Sequence, residues 1–293
     1  MRLYPTPIDS AYLWDGNSHS KDNARENNRE WVAEKVQSKK NLLICIGDSW
    51  TWGDSLGESQ QGPTYNDVGT RHSQFYTNQL ANRLDSDWMM VAWCGTDNSW
   101  IVRQYNIIKQ AIDNGYYKSY DKIYVHVCLT ELFREVGNKS ISYIIKKTGK
   151  TKNFKEFCNS YFELTVLSRL KKLSPLPKTH IFSKNFWDID VDCSEHNFVN
   201  DVWQQLLFEK TSIKDKEILP VISGIGINPL VNFLKENKLK ELEYQFSDLL
   251  VKISKRVDNM IECPLNHKNA TKHPTAEGHQ IWAEYLYNYY KDL

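Results

Sequence analysis

Net charge is the first thing this chain lacks. Its 37 Lys and Arg stand against 36 Asp and Glu, leaving +1 with the histidines neutral. No whole-protein field therefore draws it to nucleic acid. It also lacks a long apolar run: nowhere do about 18 hydrophobic residues follow one another. The opening stretch MRLYPTPIDSAYLWDGNSHSKDN has no apolar core of signal-peptide length. These two features predict no membrane association and a cytoplasmic location. Paired cysteines are missing as well. Cys45, Cys94, Cys128, Cys158, Cys193 and Cys263 are scattered, with no CxxC, which argues against a disulfide framework and a zinc site. Cys45, Cys94 and Cys128 lie in apolar runs, where a thiol behaves as a small hydrophobe. No His, Asp and Glu spacing suggests another metal. SGIGINP (223–229) has a proline where a dinucleotide loop needs its third glycine. Neither a metal nor a cofactor is expected.

Aromatics are plentiful: Trp 10, Tyr 16 and Phe 11 in 293 residues. They fill cores first, and some could line a groove for a sugar or another flat ligand. The chain is long enough for one large domain. After a polar stretch (1–40), expected to be an extension packed on the main domain, NLLICIGDS reads as a buried strand stopped by Gly-Asp-Ser. A helix is predicted over 73–85, a strand over 88–93, and a helix capped by Asn98 or Ser99 running to Asn114-Gly115. Strands follow at 122–129 and 178–186, then a last one at 258–264 and a closing helix in AEGHQIWAEYLYNYY. Alternating strands and helices predict an α/β fold with a parallel sheet covered on both faces. Residues 41–293 form one domain in this reading. Within it, 136–257 is a mostly helical insertion beside the sheet, with 190–257 mostly helical; the strand at 178–186 belongs to the main sheet.

Gly-Asp-Ser occurs twice in ICIGDSWTWGDSLG (44–57). Ligands bind open parallel sheets at the carboxyl ends of strands, and only Ser49 follows a strand directly. Ser55 comes six residues later, past Trp52-Gly53, where no strand can aim it. Ser49 is the candidate nucleophile. A serine hydroxyl needs a base, and KHPTAEGHQIWAEYL offers His273, with His279 second. His126 and His180 fall in strands and are expected to pack or to bond backbone.

These blocks resemble those of the SGNH (GDSL-type) hydrolases. GDSWTWG (47–53) is similar to the family's first block, CGTDNSW (94–100) to its second and HPTAEGHQIWA (273–283) to its last, in the family's order. The resemblance implies a flavodoxin-like three-layer α/β/α fold and a serine esterase or deacylase working through an acyl-serine. It implies Ser49 as nucleophile, His273 as base, and the N–H groups of Ser49 and Gly95 as oxyanion donors. Asp48, Trp50, Trp52 and Trp100 neighbour the blocks and are expected to line the cleft. The substrate would be a small ester, with an acylated carbohydrate suggested by the aromatics.

Two groups of the family pattern are missing. Its third block supplies an Asn donor, whereas the matching strand ends in VCLTELFRE (127–135); Thr130, through its hydroxyl, and Asn98 are the candidate substitutes. The usual Asp three residues before the base is Ala270. His273 is therefore expected to work as a dyad or with a displaced partner, Asn269 first and Glu277 second. An O-acyltransferase, or a non-catalytic binding protein on the same scaffold, are the alternatives. Ser49→Ala should lower ester hydrolysis by several orders of magnitude while Ser55→Ala retains it; the reverse result would make Ser55 the nucleophile.

Overall fold

The computed structural model describes residues 38–53, 56, 73–92, 96–130, 154–183, 195, 197–199 and 273–293. Its first strand, β1 (Asn41–Gly47), reads NLLICIG and is buried from its second residue onward. Apolar residues on both faces of a strand require cover on both faces. The same holds for β2 (Ser86–Ala92), buried throughout, and for β3 (Lys122–Leu129), buried after its first two residues. Two further strands follow, β4 (Thr179–Ser183) and β5 (Phe198–Val199).

All the described pairings are parallel, in the order β2-β1-β3-β4-β5. This is the flavodoxin-like order, whose topological switch point lies between β1 and β3, where ligands of such sheets bind. Ile46 is level with Val127 across that switch, so the two strands end side by side.

On one face lie α2 (Tyr76–Arg83) and α6 (Ala276–Tyr290), with Leu43, Cys45, Trp88, Met90, Cys128 and Phe182 beneath them. The other face is covered by α3 (Asn98–Asp113), which buries Ile101, Tyr105 and Ile108 and touches β1 and β3. It also touches the wider-coiled turn Glu163–Leu167, which joins α4 (Phe154–Phe162) to α5 (Ser168–Leu170). The remaining helix, α1 (Ser49–Trp52), is a single turn after β1. No helix among the described residues is long and apolar enough to cross a membrane.

The expected strands at 41–47, 88–93, 122–129 and 178–186 are present, shifted by a few residues at most, and the closing helix spans the expected residues. Two readings change. β5 falls in a stretch read as mostly helical; with two residues it is too short to show alternation, and pairing with β4 creates it. The cap of α3 is Asp97, neither Asn98 nor Ser99: its carboxylate accepts from the Trp100 N–H at 2.7 Å. The predicted strand at 258–264, residues 1–37 of the N-terminal extension and most of the 190–257 stretch lie outside the described residues.

At the amino end of the sheet, Asp87 ties three strands together. Its carboxylate accepts from Ser38 N–H (2.9 Å), Ser38 Oγ (2.5 Å), Lys39 N–H (3.2 Å) and the Tyr120 hydroxyl (3.1 Å). Burial disfavours its charge, but these donors outweigh burial and hold its pKa below the ordinary value. A carboxyl with a lowered folded pKa stabilises above its unfolded pKa, and that contribution is lost as pH falls through the folded value. Asp87→Asn should therefore cost about 1–3 kcal/mol at neutral pH and flatten the acid limb of the stability curve. Urea titrations at neutral and acid pH test this; an unchanged curve would contradict it.

Candidate functional site

The site begins where β1 stops. Asp48 is extended (φ −104°, ψ −154°) and caps α1, its Oδ1 accepting from Trp50 N–H at 3.1 Å. Gly53, left-handed at φ 71°, closes the turn. Both glycines of GDSWTWG have packing reasons. A Cβ at Gly47 would lie 2.0 Å from Thr51 Oγ1, and one at Gly53 would lie 2.2 Å from the Phe75 ring. The second Gly-Asp-Ser copy therefore starts with a helix stop, and its Leu56 is buried in the core. Ser55 itself lies outside the described residues.

Ser49 opens α1, and His273 stands just before α6, 224 positions away in sequence; Ser49 Oγ and His273 Nε2 are 2.8 Å apart. Both are buried, at 3% and 7% exposure. α6 starts cleanly because Thr275 Oγ1 accepts from Gly278 N–H at 3.2 Å. The Trp50 ring lies 6.3 Å from the His273 ring and meets Trp282 edge-on at 6.0 Å, so an apolar wall flanks the pair.

Around them the expected site rearranges. Asp48, expected to line a cleft, is fully buried. Its Oδ2 accepts from Thr130 Oγ1 at 2.6 Å. A hydroxyl has one hydrogen, so Thr130 cannot give an oxyanion the proton it gives Asp48. Asn98 is buried too and grips the Thr130 backbone twice: its Oδ1 accepts from Thr130 N–H (2.8 Å) and its Nδ2 donates to Thr130 C=O (3.1 Å). Asp48, Thr130 and Asn98 thus lock the ends of β1 and β3 to the start of α3. Trp50, Trp52 and Trp100 are core residues at 5–6% exposure. Glu277 sits exposed in the first turn of α6, with no hydrogen bond or ion pair among the described residues, and so does not orient His273. Gly95 and Asn269 lie outside the described residues. Among the described residues no three His, Cys, Asp or Glu side chains gather as a metal site would require.

His279, the second candidate base, is engaged elsewhere, its Nδ1 accepting from Tyr76 N–H at 3.1 Å. His180 Nε2 bonds the Tyr289 carbonyl at 3.1 Å, as expected of a strand histidine. His126 is packed in the core, as expected, and bonds two side-chain hydroxyls: Tyr76 on Nε2 (3.1 Å) and Tyr290 on Nδ1 (3.2 Å). Tyr290 gives its hydrogen to the Val125 carbonyl at 3.2 Å, so His126 Nδ1–H must donate to it. Nε2 of the neutral ring then accepts from Tyr76, whose oxygen accepts from Thr51 Oγ1 at 2.9 Å. The chain Thr51–Tyr76–His126–Tyr290–Val125 has one consistent direction. Burial, with a smaller push from His180, lowers the His126 pKa to about 3, so the ring stays neutral as this direction requires. Sequence reasoning missed Tyr76 and Tyr290 as partners. The available signal was His126 itself, a polar ring amid KIYVHVCL that must find bonds once buried.

No family model and no curated protein matches the chain. Among solved structures it is similar to a carbohydrate esterase family 2 enzyme with a carbohydrate-binding domain from Corynascus thermopiles (Myceliophthora fergusii). The identity is 13% and the TM-score 0.35, over 87% of this chain and 66% of that one, just under two thirds of its length. At that level the fold stands on strand order and register, and the site on its own hydrogen bonds.

Gly47→Ala should cost about 1–3 kcal/mol by overpacking, because the Thr51 side chain must leave its place above the strand end. Thermal unfolding reads this directly; an unchanged Tm would refute the packing assignment.

Proposed function

We propose that the chain is an SGNH-type serine hydrolase acting on a small ester through an acyl-serine intermediate. The observation that carries this reading is the Ser49–His273 hydrogen bond of 2.8 Å at the carboxyl end of β1, beside the switch point of the sheet. His273 Nε2 takes the Ser49 proton as Oγ attacks the ester carbonyl carbon. The resulting oxyanion faces donors that include the Ser49 N–H, which as the first of α1 has no intrahelical acceptor. By the block resemblance the Gly95 N–H is another, and each such donor is worth about 2.7–4 kcal/mol. Collapse breaks the ester C–O bond, and the leaving alcohol takes the proton from His273. Water then attacks the acyl-serine with His273 as base again, releasing the acid and restoring Ser49.

With Glu277 turned to solvent, a neutral partner such as Asn269 is the first choice for His273. A neutral acceptor stabilises imidazolium less than a carboxylate, so turnover should be slower than with a full triad. Interception of the acyl-serine by a sugar hydroxyl would make the chain an O-acyltransferase. An acylated sugar remains the substrate class suggested by aromatic content, although the described tryptophans near Ser49 are core residues and add nothing to it.

A second reading, a binding protein that has lost catalysis, is favoured by the spent Thr130 hydroxyl. A fluorophosphonate probe separates the two. The enzyme reading expects covalent labelling of the wild type at Ser49, abolished in Ser49→Ala and strongly slowed in His273→Ala. No labelling of the folded wild type would favour the binding protein.

A further inference from the structure

The contact between Ser49 and His273 joins two segments that share no secondary-structure element, and something must hold them in register. Tyr76, at the start of α2, touches both sides. Its hydroxyl accepts from Thr51 at 2.9 Å, and Thr51 lies two residues beyond Ser49 in α1. Its N–H donates to His279 Nδ1 in α6, the helix that follows His273. Its ring stacks on Trp282 at 4.3 Å and 21°, and on His279 at 5.6 Å and 26°. Trp282 in turn meets Trp50, the residue next to Ser49, edge-on. Every polar atom of Tyr76 on this path is buried with it, at 0% exposure, so water competes for none of these bonds.

We propose that Tyr76 is the positioning residue that sets Ser49 against His273. This rests on the reading of Ser49 and His273 as the acyl-transfer pair. The hydroxyl bonds in two directions, receiving the Thr51 hydrogen and giving its own to His126, which β3 holds fully buried. The sheet thereby fixes the far end of the link, and Thr51 transmits that position to the turn bearing Ser49. Loss of the hydroxyl leaves the stacked ring and the His279 bond in place but frees Thr51 to rotate. A displacement of about 1 Å between reacting groups can cost on the order of 100-fold in rate, so a small release has a large readout.

The test is hydrolysis of p-nitrophenyl acetate by the full chain, with kcat, KM and Tm measured together. Tyr76→Phe keeps the ring and should lower kcat roughly 10- to 100-fold with KM nearly unchanged. Thr51→Val removes the same bond from the other end and should do likewise, and the double variant should be no slower than the slower single one. Thr51→Ser keeps the hydroxyl and should retain most of kcat. Asp87→Asn, at the opposite end of the sheet, should lower Tm with kcat unchanged. Wild-type kcat in Tyr76→Phe, or losses that multiply in the double variant, would overturn the proposal. So would a kcat that tracks Tm across all variants, Asp87→Asn included. Ser49→Ala is run alongside: if it keeps wild-type turnover the acyl-serine reading fails first, and that result is distinct from any behaviour of Tyr76.

Discussion

A carboxylate with no access to water must find its hydrogen bonds inside the protein, and Asp48 is such a group at the most consequential corner of this fold. One oxygen takes the Trp50 N–H and so forces the chain to turn immediately after β1. The other takes the Thr130 hydroxyl and so draws the end of β3 to the end of β1. Asn98 then completes the corner by binding the peptide of Thr130 from α3. Ser49 follows Asp48 directly, so its position is a by-product of satisfying that buried carboxyl group. The same demand explains why Thr130 does not behave as a substitute oxyanion donor: structure claims its hydrogen first.

Much of this was legible in the sequence because parallel strands announce themselves. LLICI, WMMVA and KIYVHVCL are apolar on successive residues, the signature of strands covered on both faces. Placing Ser49 at a strand end needed only the position of the first of those strands. Other features were illegible for definite reasons. Asp48 looks like any polar residue in a Gly-rich loop until one knows that Thr130, 82 positions on, approaches it. β5 exists through its pairing and carries no pattern of its own. Asp97, Asn98 and Ser99 are all good caps by type, and only the fold decides that Asp97 stays outside the helix while Asn98 turns inward.

The aromatic surplus has a structural explanation among the described residues. Trp282, Tyr76, Tyr105, Tyr161 and Tyr290 are all but fully buried, and the hydroxyls of Tyr76, Tyr105 and Tyr290 do what aliphatic side chains could not. Tyr76 and Tyr290 satisfy His126; the Tyr105 hydroxyl accepts from Leu176 N–H at 3.3 Å. Burial also holds the Tyr76 and Tyr290 hydroxyls in their protonated form, pushing both pKa values well up. A core built this way gains its area from rings and its specificity from a few hydrogen bonds with fixed direction.

The closure of Ser49 on His273 over 224 positions also governs the order of events when the chain folds. Contacts so distant in sequence carry a large loop-closure cost, and folds rich in them assemble slowly. β1, β2 and β3 can pair while α6 is still being synthesised, but the face it covers stays open to water until that helix arrives. The Ser49–His273 contact is thus completed in the last stage of assembly. A growing chain carries Ser49 long before it carries the imidazole that closes on it.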